Sequence, residues 1–469
     1  MMLLVAAAFA GSAACRPCHT AIYDAYRQTP MARTSGRAGS VPDAAFTAAN
    51  HRFRIASNRL TFPAGSASID YFIGSGVAGR SYLTARDGFL FELPVSWYAR
   101  QQAWDSSPGY EQESEVRLDR AVDPTCLSCH ASRLQPIWGT SNRYATPPFL
   151  EDGVGCERCH GPGGEHVRDP RSAHLVNPAA LPAAERDSVC AQCHLTGDAR
   201  IERPGRRFAE YRAGDNLADF VSYFVWASKP PSLNVTSHVE KLAMSGCKRG
   251  AGDALWCGTC HDPHTNANRT QQACVGCHPS AHRQSESCAG CHMPHSQSSD
   301  VVHGVTTDHS IPRNPRGLAG PRGRSDLRAF LGVQDDRSLG LAYAELGDPR
   351  AGEYLRKAAP KDAPVLIRLA TLEADSGRAA RLYEEALRTE PANPVALVNL
   401  GVLRAGAGRL PEAAALWKRA LETDPAIESA AVNLAKISEP GEARAVLRRY
   451  LAFNPDSAAA RRQLAAIRE

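Results

Sequence analysis

Fourteen of the fifteen cysteines fall into CxxC pairs, and a histidine follows every pair. The seven motifs are Cys15, Cys18 and His19; Cys126, Cys129 and His130; Cys156, Cys159 and His160; Cys190, Cys193 and His194; Cys257, Cys260 and His261; Cys274, Cys277 and His278; and Cys288, Cys291 and His292. Cys247 alone is left over. A CxxC pair by itself fits a zinc ribbon, a thioredoxin-like redox pair or a disulfide framework, none of which requires the trailing histidine. With 16 histidines in 469 residues, seven coincidences in seven trials need one shared cause. Covalent attachment of c-type haem supplies it: two thiols separated by two residues reach the vinyl groups on one porphyrin edge and form thioethers, and the adjoining histidine ligates iron. The expectation is seven c-type haems, with those seven histidines as proximal ligands.

Nine histidines remain: His51, His166, His174, His238, His264, His282, His295, His303 and His309. They suffice for seven distal positions, and apart from the two terminal methionines only Met31, Met244 and Met293 compete. The expected iron is therefore mostly bis-His and six-coordinate, of low potential, passing electrons rather than binding substrate. His264 and His295 each lie three residues beyond a proximal histidine. That is too near to reach the opposite face of the same haem without strain, so the spacing points them at an adjacent one. His174 and His282 read equally well as solvated side chains; Cys247 stays unassigned between a buried apolar thiol, a partner for an intermolecular disulfide and a weak axial ligand.

The elements that hold these residues follow from composition and period. The chain is 43% hydrophobic and 22% charged, which rules out disorder throughout, and its net charge of +5 is too mild and too evenly spread for a nucleic-acid surface. Between Cys18 and Cys126 the pattern turns to a period of two in Ile69–Ile73, Ser81–Thr84 and Phe89–Val95, separated by glycines and Asp87-Gly88. This predicts a small β-meander within a β-rich insertion at about 50–100. From Cys126 to His309 the motifs sit in Pro/Gly-rich chain with short helices, porphyrins taking the place of an aliphatic core. Residues 1–14 contain an apolar run, Leu3 to Ala10, ending in a small-residue pattern that resembles the end of a signal peptide, with no basic residue before it. No other stretch offers the roughly 20 apolar residues that span a bilayer.

The cysteines stop at Cys291, and residues 311–324 (IPRNPRGLAGPRGR) carry no acid. A linker is predicted over 313–328. Beyond it the composition turns to Ala, Leu, Arg and Glu with a 34-residue period, seen in Pro391 and Pro425 and in Asn399-Leu400-Gly401 and Asn433-Leu434-Ala435. Leu397, Leu400, Gly401, Ala413, Trp417, Ala420 and Pro425 occupy the large, small, aromatic and terminating positions of a tetratricopeptide repeat. About four repeats and a closing helix are expected over 329–469. The fold class is thus mainly α: a heptahaem domain over 15–312 with short helices, loops and the β-meander insertion, then an α-solenoid. The linker composition predicts that the two parts separate.

Segments YFIGSGVAGRSYL at 71–83, LPVSWY at 93–98, SPGY at 107–110, GCERCHGPGGEH at 155–166, SHVEKLAMSGC at 237–247, CGTCHDPH at 257–264, CAGCHMPH at 288–295 and VVHGVTTDHSIPR at 301–313 resemble multihaem cytochromes of the c-552/c-554 type that carry C-terminal tetratricopeptide repeats. The resemblance covers nearly the whole chain. It implies a respiratory-type haem protein, periplasmic or on the extracellular face. It also implies that His166, just beyond the CxxCHGPG turn, ligates a neighbouring haem, that His238 and His303 are distal ligands, and that His51 and His309 follow them. The CxxCK motif of the lysine-ligated nitrite reductases is missing. Two functions fit: an electron carrier whose repeats dock a redox partner protein or a membrane respiratory complex, or a multihaem oxidoreductase acting on a small nitrogen or sulfur compound at one open haem. No catalytic residue is assigned.

Overall fold

The computed structural model describes residues 8–227, 233–279, 287–301, 303–313 and 325–467. Most of the predicted linker, 314–324, lies outside the described residues, as do His282 and the greater part of the signal-like segment.

The N-terminal part is richer in strand than the alternation predicts. Strands β1 (Ser35–Arg37), β2 (Ala44–Ala48), β3 (His51–Ala56), β4 (Arg59–Phe62), β5 (Gly65–Ser68), β6 (Tyr71–Ile73), β7 (Gly79–Arg86), β8 (Phe89–Tyr98) and β9 (Ala103–Ser106) form two antiparallel sheets. One runs β2-β3-β4-β5 and the other β1-β6-β7-β8-β9. In β3 the side chains alternate, Arg52 and Arg54 outward, Phe53 and Ile55 inward, so that one face joins a core with Leu60, Tyr82, Leu93 and Val95. Two-residue turns close the hairpins β2-β3, β3-β4, β4-β5 and β7-β8. Asp87 and Gly88 both take positive φ, 53° and 81°, the backbone whose twist matches that of the flanking strands.

Among the described residues the solenoid has nine consecutive helices, from Asp336–Glu345 to Ala458–Ala466. Small residues let paired helices approach closely: a side chain at Gly401 would strike the Trp417 ring, which donates from Nε1 to Val398 O at 3.2 Å. Tyr383, Leu397, Leu400, Leu416 and Trp417 share one continuous core.

The predicted separability is not what the structure has. Beginning within the last residues of the predicted linker, Leu327–Leu331 forms a strand that pairs antiparallel with Val221–Trp226, itself paired with Ala199–Glu202. The first helices of the solenoid pack on this sheet, Leu339, Tyr343 and Leu355 sharing a core with Ile201 and Phe224. Arg337 bonds Glu202 O at 2.9 Å and Asp362 at 2.6 Å. The far end returns to the N-terminal sheets. Phe453 packs edge-on against Phe89 and Phe91, and Asn454 Oδ1 and Asp456 Oδ2 accept from the backbone N–H of Leu118 and Val116, each at 2.8 Å. The solenoid is thus fastened to the rest of the chain at both ends.

Candidate functional site

All seven motifs face one cavity of about 2760 Å³, lined by cysteines of every motif and by all seven motif histidines. A pocket for one small molecule or cofactor is roughly 300–1,000 Å³, so this space suits several large groups.

Local helix explains why the motif spacing works. Cysteines at i and i+3 and the histidine at i+4 lie on one helical face, and short helices carry most of the motifs: Pro124–Ser128, Glu157–His160, Ala183–His194, Cys257–Cys260, Thr270–Cys277 and Cys288–His292. Caps start them. Asp123 Oδ1 accepts from Thr125 N at 2.7 Å and from Cys126 N at 3.1 Å, and Ser287 Oγ accepts from Gly290 N at 3.1 Å. Gly161, with φ 74°, stops the helix Glu157–His160. The first and third motifs are tied through the Glu157 carboxylate, which accepts from Ala10 N and Gly11 N at 2.8 Å and from Gly163 N at 2.7 Å.

The cavity also receives His166, His238, His264 and His309, and they meet motif histidines of other stretches of chain. Ring centres lie 6.4 Å apart for His19 and His166, 5.9 Å for His160 and His264, and 6.2 Å for His261 and His309. His194 and His238 touch more closely, Nδ1 to Nδ1 3.0 Å, and His238 also lies 4.5 Å from His309. Four rings are held through Nδ1 by backbone carbonyls: His160 by Val176 at 2.7 Å, His166 by Ala173 at 2.7 Å, His292 by Pro312 at 3.0 Å and His309 by Thr307 at 2.9 Å. His130 Nδ1 meets Thr34 Oγ1 at 2.8 Å. This arrangement leaves Nε2 for a metal, as metal-bound imidazoles require. Burial pulls His130 and His194 down to about 4 and His238 down to about 3, which keeps them in the neutral, ligating form. The donor set fits haem iron. Among the described residues no three His, Cys, Asp or Glu side chains converge on one point, as a zinc ribbon would need.

Three expected ligands lie elsewhere. His51 is on β3, where its Nε2 meets Glu113 O at 3.2 Å. His303 Nε2 meets Asp105 at 2.8 Å, its ring against Tyr98. His295 is exposed on a short strand, its Nδ1 3.2 Å from Thr307 Oγ1. Each is engaged by the β structure rather than turned to the cavity. Cys247 and the three internal methionines line the cavity. The partners that sequence reasoning missed are backbone carbonyls and Thr34, which carry no signature in residue type or spacing.

Two family models match: cytochrome c554 and c-prime over residues 95–161, and the tetratricopeptide repeat over 373–437. The chain is a multihaem c-type cytochrome with C-terminal tetratricopeptide repeats. The cytochrome is 24% identical over 200 residues to multiheme cytochrome MtrA of Shewanella baltica, covering 37% of this chain and 58% of that one. It is 33% identical over 79 residues to the C-type polyheme cytochrome OmcC of Geobacter sulfurreducens, covering 15% of this chain and 9% of that one. The solved outer cell wall cytochrome OcwA superposes with a TM-score of 0.46 at 14% identity, over 97% of this chain and 99% of that one. Among the described residues no helix is long and apolar enough to cross a membrane.

Proposed function

We propose that this cytochrome is an electron carrier in which seven covalently attached haems, mostly bis-His, fill the common cavity. The haems supply one-electron redox chemistry; the chain attaches them through the fourteen motif cysteines and ligates their iron through the seven motif histidines. The observation that carries the reading is the pairing of histidines across the cavity. Two imidazoles bound to one metal at roughly 2 Å each hold their ring centres roughly 6 Å apart, as in His19 with His166, His160 with His264, and His261 with His309. In each pair the second histidine comes from outside the motif it faces, so the ligands stitch distant stretches of chain together. His238 touches His194 too closely, Nδ1 to Nδ1 3.0 Å, to share one metal with it in this arrangement, and stays a distal candidate for a neighbouring haem. Because thioether formation on c-type cytochromes takes place outside the cytoplasm, the protein is exported, to the periplasm or the extracellular face. Its repeats dock a redox partner protein or a membrane respiratory complex.

The test is the ferric spectrum of the purified protein, searched for high-spin iron, together with exposure of the reduced protein to carbon monoxide. Low-spin iron throughout and no ligand binding support the carrier. Carbon monoxide bound at about one equivalent per chain would reverse the reading in favour of a multihaem oxidoreductase, since an open iron position is what substrate redox chemistry needs.

A further inference from the structure

His130 differs from His160 and His292 in what holds its ring. Those two bond backbone carbonyls, Val176 O at 2.7 Å and Pro312 O at 3.0 Å, groups that no substitution removes. His130 Nδ1 instead meets the hydroxyl of Thr34 at 2.8 Å, across 96 residues of chain. Both residues line the cavity. The contact joins the second motif to the β-rich insertion, because Thr34 stands between the single turn Met31–Arg33 and β1. Its backbone is pinned there: its own carbonyl accepts from Gly74 N at 2.8 Å, Ser35 lies opposite Ile73 in the β1-β6 ladder, and Ser35 Oγ accepts from Gly153 N at 2.9 Å. The motif is rooted in the same unit. Leu127 and Ala131, 0% and 2% exposed, lie on either side of His130 in sequence and share a core with Tyr71 and Leu83 of the sheet that contains β1. Hydroxyl and ring are thus carried by one packed body, which fixes the distance between them.

A neutral imidazole that gives Nε2 to a metal keeps its one proton on Nδ1. A hydroxyl can donate or accept, so against a ligating His130 the Thr34 oxygen accepts. We propose that Thr34 is the positioning residue of the second haem: its hydroxyl accepts the Nδ1–H of His130, orients the ring beneath the iron and holds that haem's reduction potential down. An acceptor on the far side of a ligating imidazole raises its basicity, and a more basic ligand favours ferric iron, which carries one positive charge more than ferrous. Because this acceptor is a side chain, the potential of the second haem depends on the residue that stands at Thr34, and through β1 the insertion acts on one iron. The inference rests on the haem reading above.

The test is an anaerobic optical redox titration of full-length, haem-loaded wild type, Thr34→Val and Thr34→Ser, with covalent haem per chain measured on the same samples. Thr34→Val keeps the shape of the side chain and removes the acceptor. It is expected to keep its haems while one component of the titration becomes about tenfold easier to reduce, about 59 mV for a one-electron couple. Thr34→Ser keeps the hydroxyl and should titrate as wild type, a rescue that a merely structural role for Thr34 would not produce. A curve for Thr34→Val that superposes on wild type at equal haem content, or a component that becomes harder to reduce, overturns the proposal and leaves the haem reading standing. A shifted component in Thr34→Ser overturns it as well. Wild type without attached haem would instead sink the haem reading. If Thr34→Val does not mature, Thr34→Ala, which also removes the acceptor, is read by the same criterion.

Discussion

His166 carries the ligand account at the scale of single residues. Its ring faces that of His19 and is fixed by the Ala173 carbonyl, so His166→Ala should convert one haem to high spin and open it to carbon monoxide. An unchanged spin state in that variant would show that the ligand assignment is wrong. His51→Ala and His295→Ala are the complementary controls. Both side chains are engaged outside the cavity, and both variants should leave the ferric spectrum of the parent. A new high-spin band in either would return those residues to the iron. That the seven motifs belong to one site was legible in the sequence, because cysteine spacing and the trailing histidine are local, and all seven line the cavity. Which of the other histidines reaches the cavity is legible only in part, since that depends on long-range packing: His166 and His303 are equally plain as residues, yet His166 lines the cavity while His303 meets Asp105.

Elements divide in the same way. The Asp87-Gly88 hairpin and the Gly401 against Trp417 contact were readable because turn chemistry and repeat period are written in consecutive residues. The strand Leu327–Leu331 was not, because five residues with little alternation become a strand only through a partner a hundred residues earlier. That strand and the Phe453 contact determine how the two halves behave. Truncation at about Gly320 removes the partner of Val221–Trp226 and uncovers Phe224, Phe89 and Phe91. The shortened chain should therefore lose thermal stability, measured as an earlier melting of the haem absorbance. Melting at the temperature of the full chain would restore the independent unit that the linker composition suggests. A milder probe is Phe453→Ala, which should cost about 3–5 kcal/mol in denaturant unfolding. A cost near zero would mean that the far end of the solenoid does not bear on the sheets.

For the whole molecule the haem reading has a consequence in charge. The chain alone carries +5, but each haem adds two propionates, against a centre that is singly positive when ferric and neutral when ferrous. Seven haems turn a basic sequence into an acidic protein whose negative charge deepens on reduction. Full reduction should then move its electrophoretic mobility toward the anode, and binding to a basic partner should weaken with salt; mobility that does not change on reduction would contradict this charge balance. The central claim, that seven motifs around one cavity each hold a haem covalently, is tested most directly by intact mass. The mature protein, unfolded in acid so that only covalent groups remain, should weigh more than its polypeptide by the mass of seven haems. A mass short of seven would contradict the account, and a mass equal to the bare polypeptide would contradict it entirely.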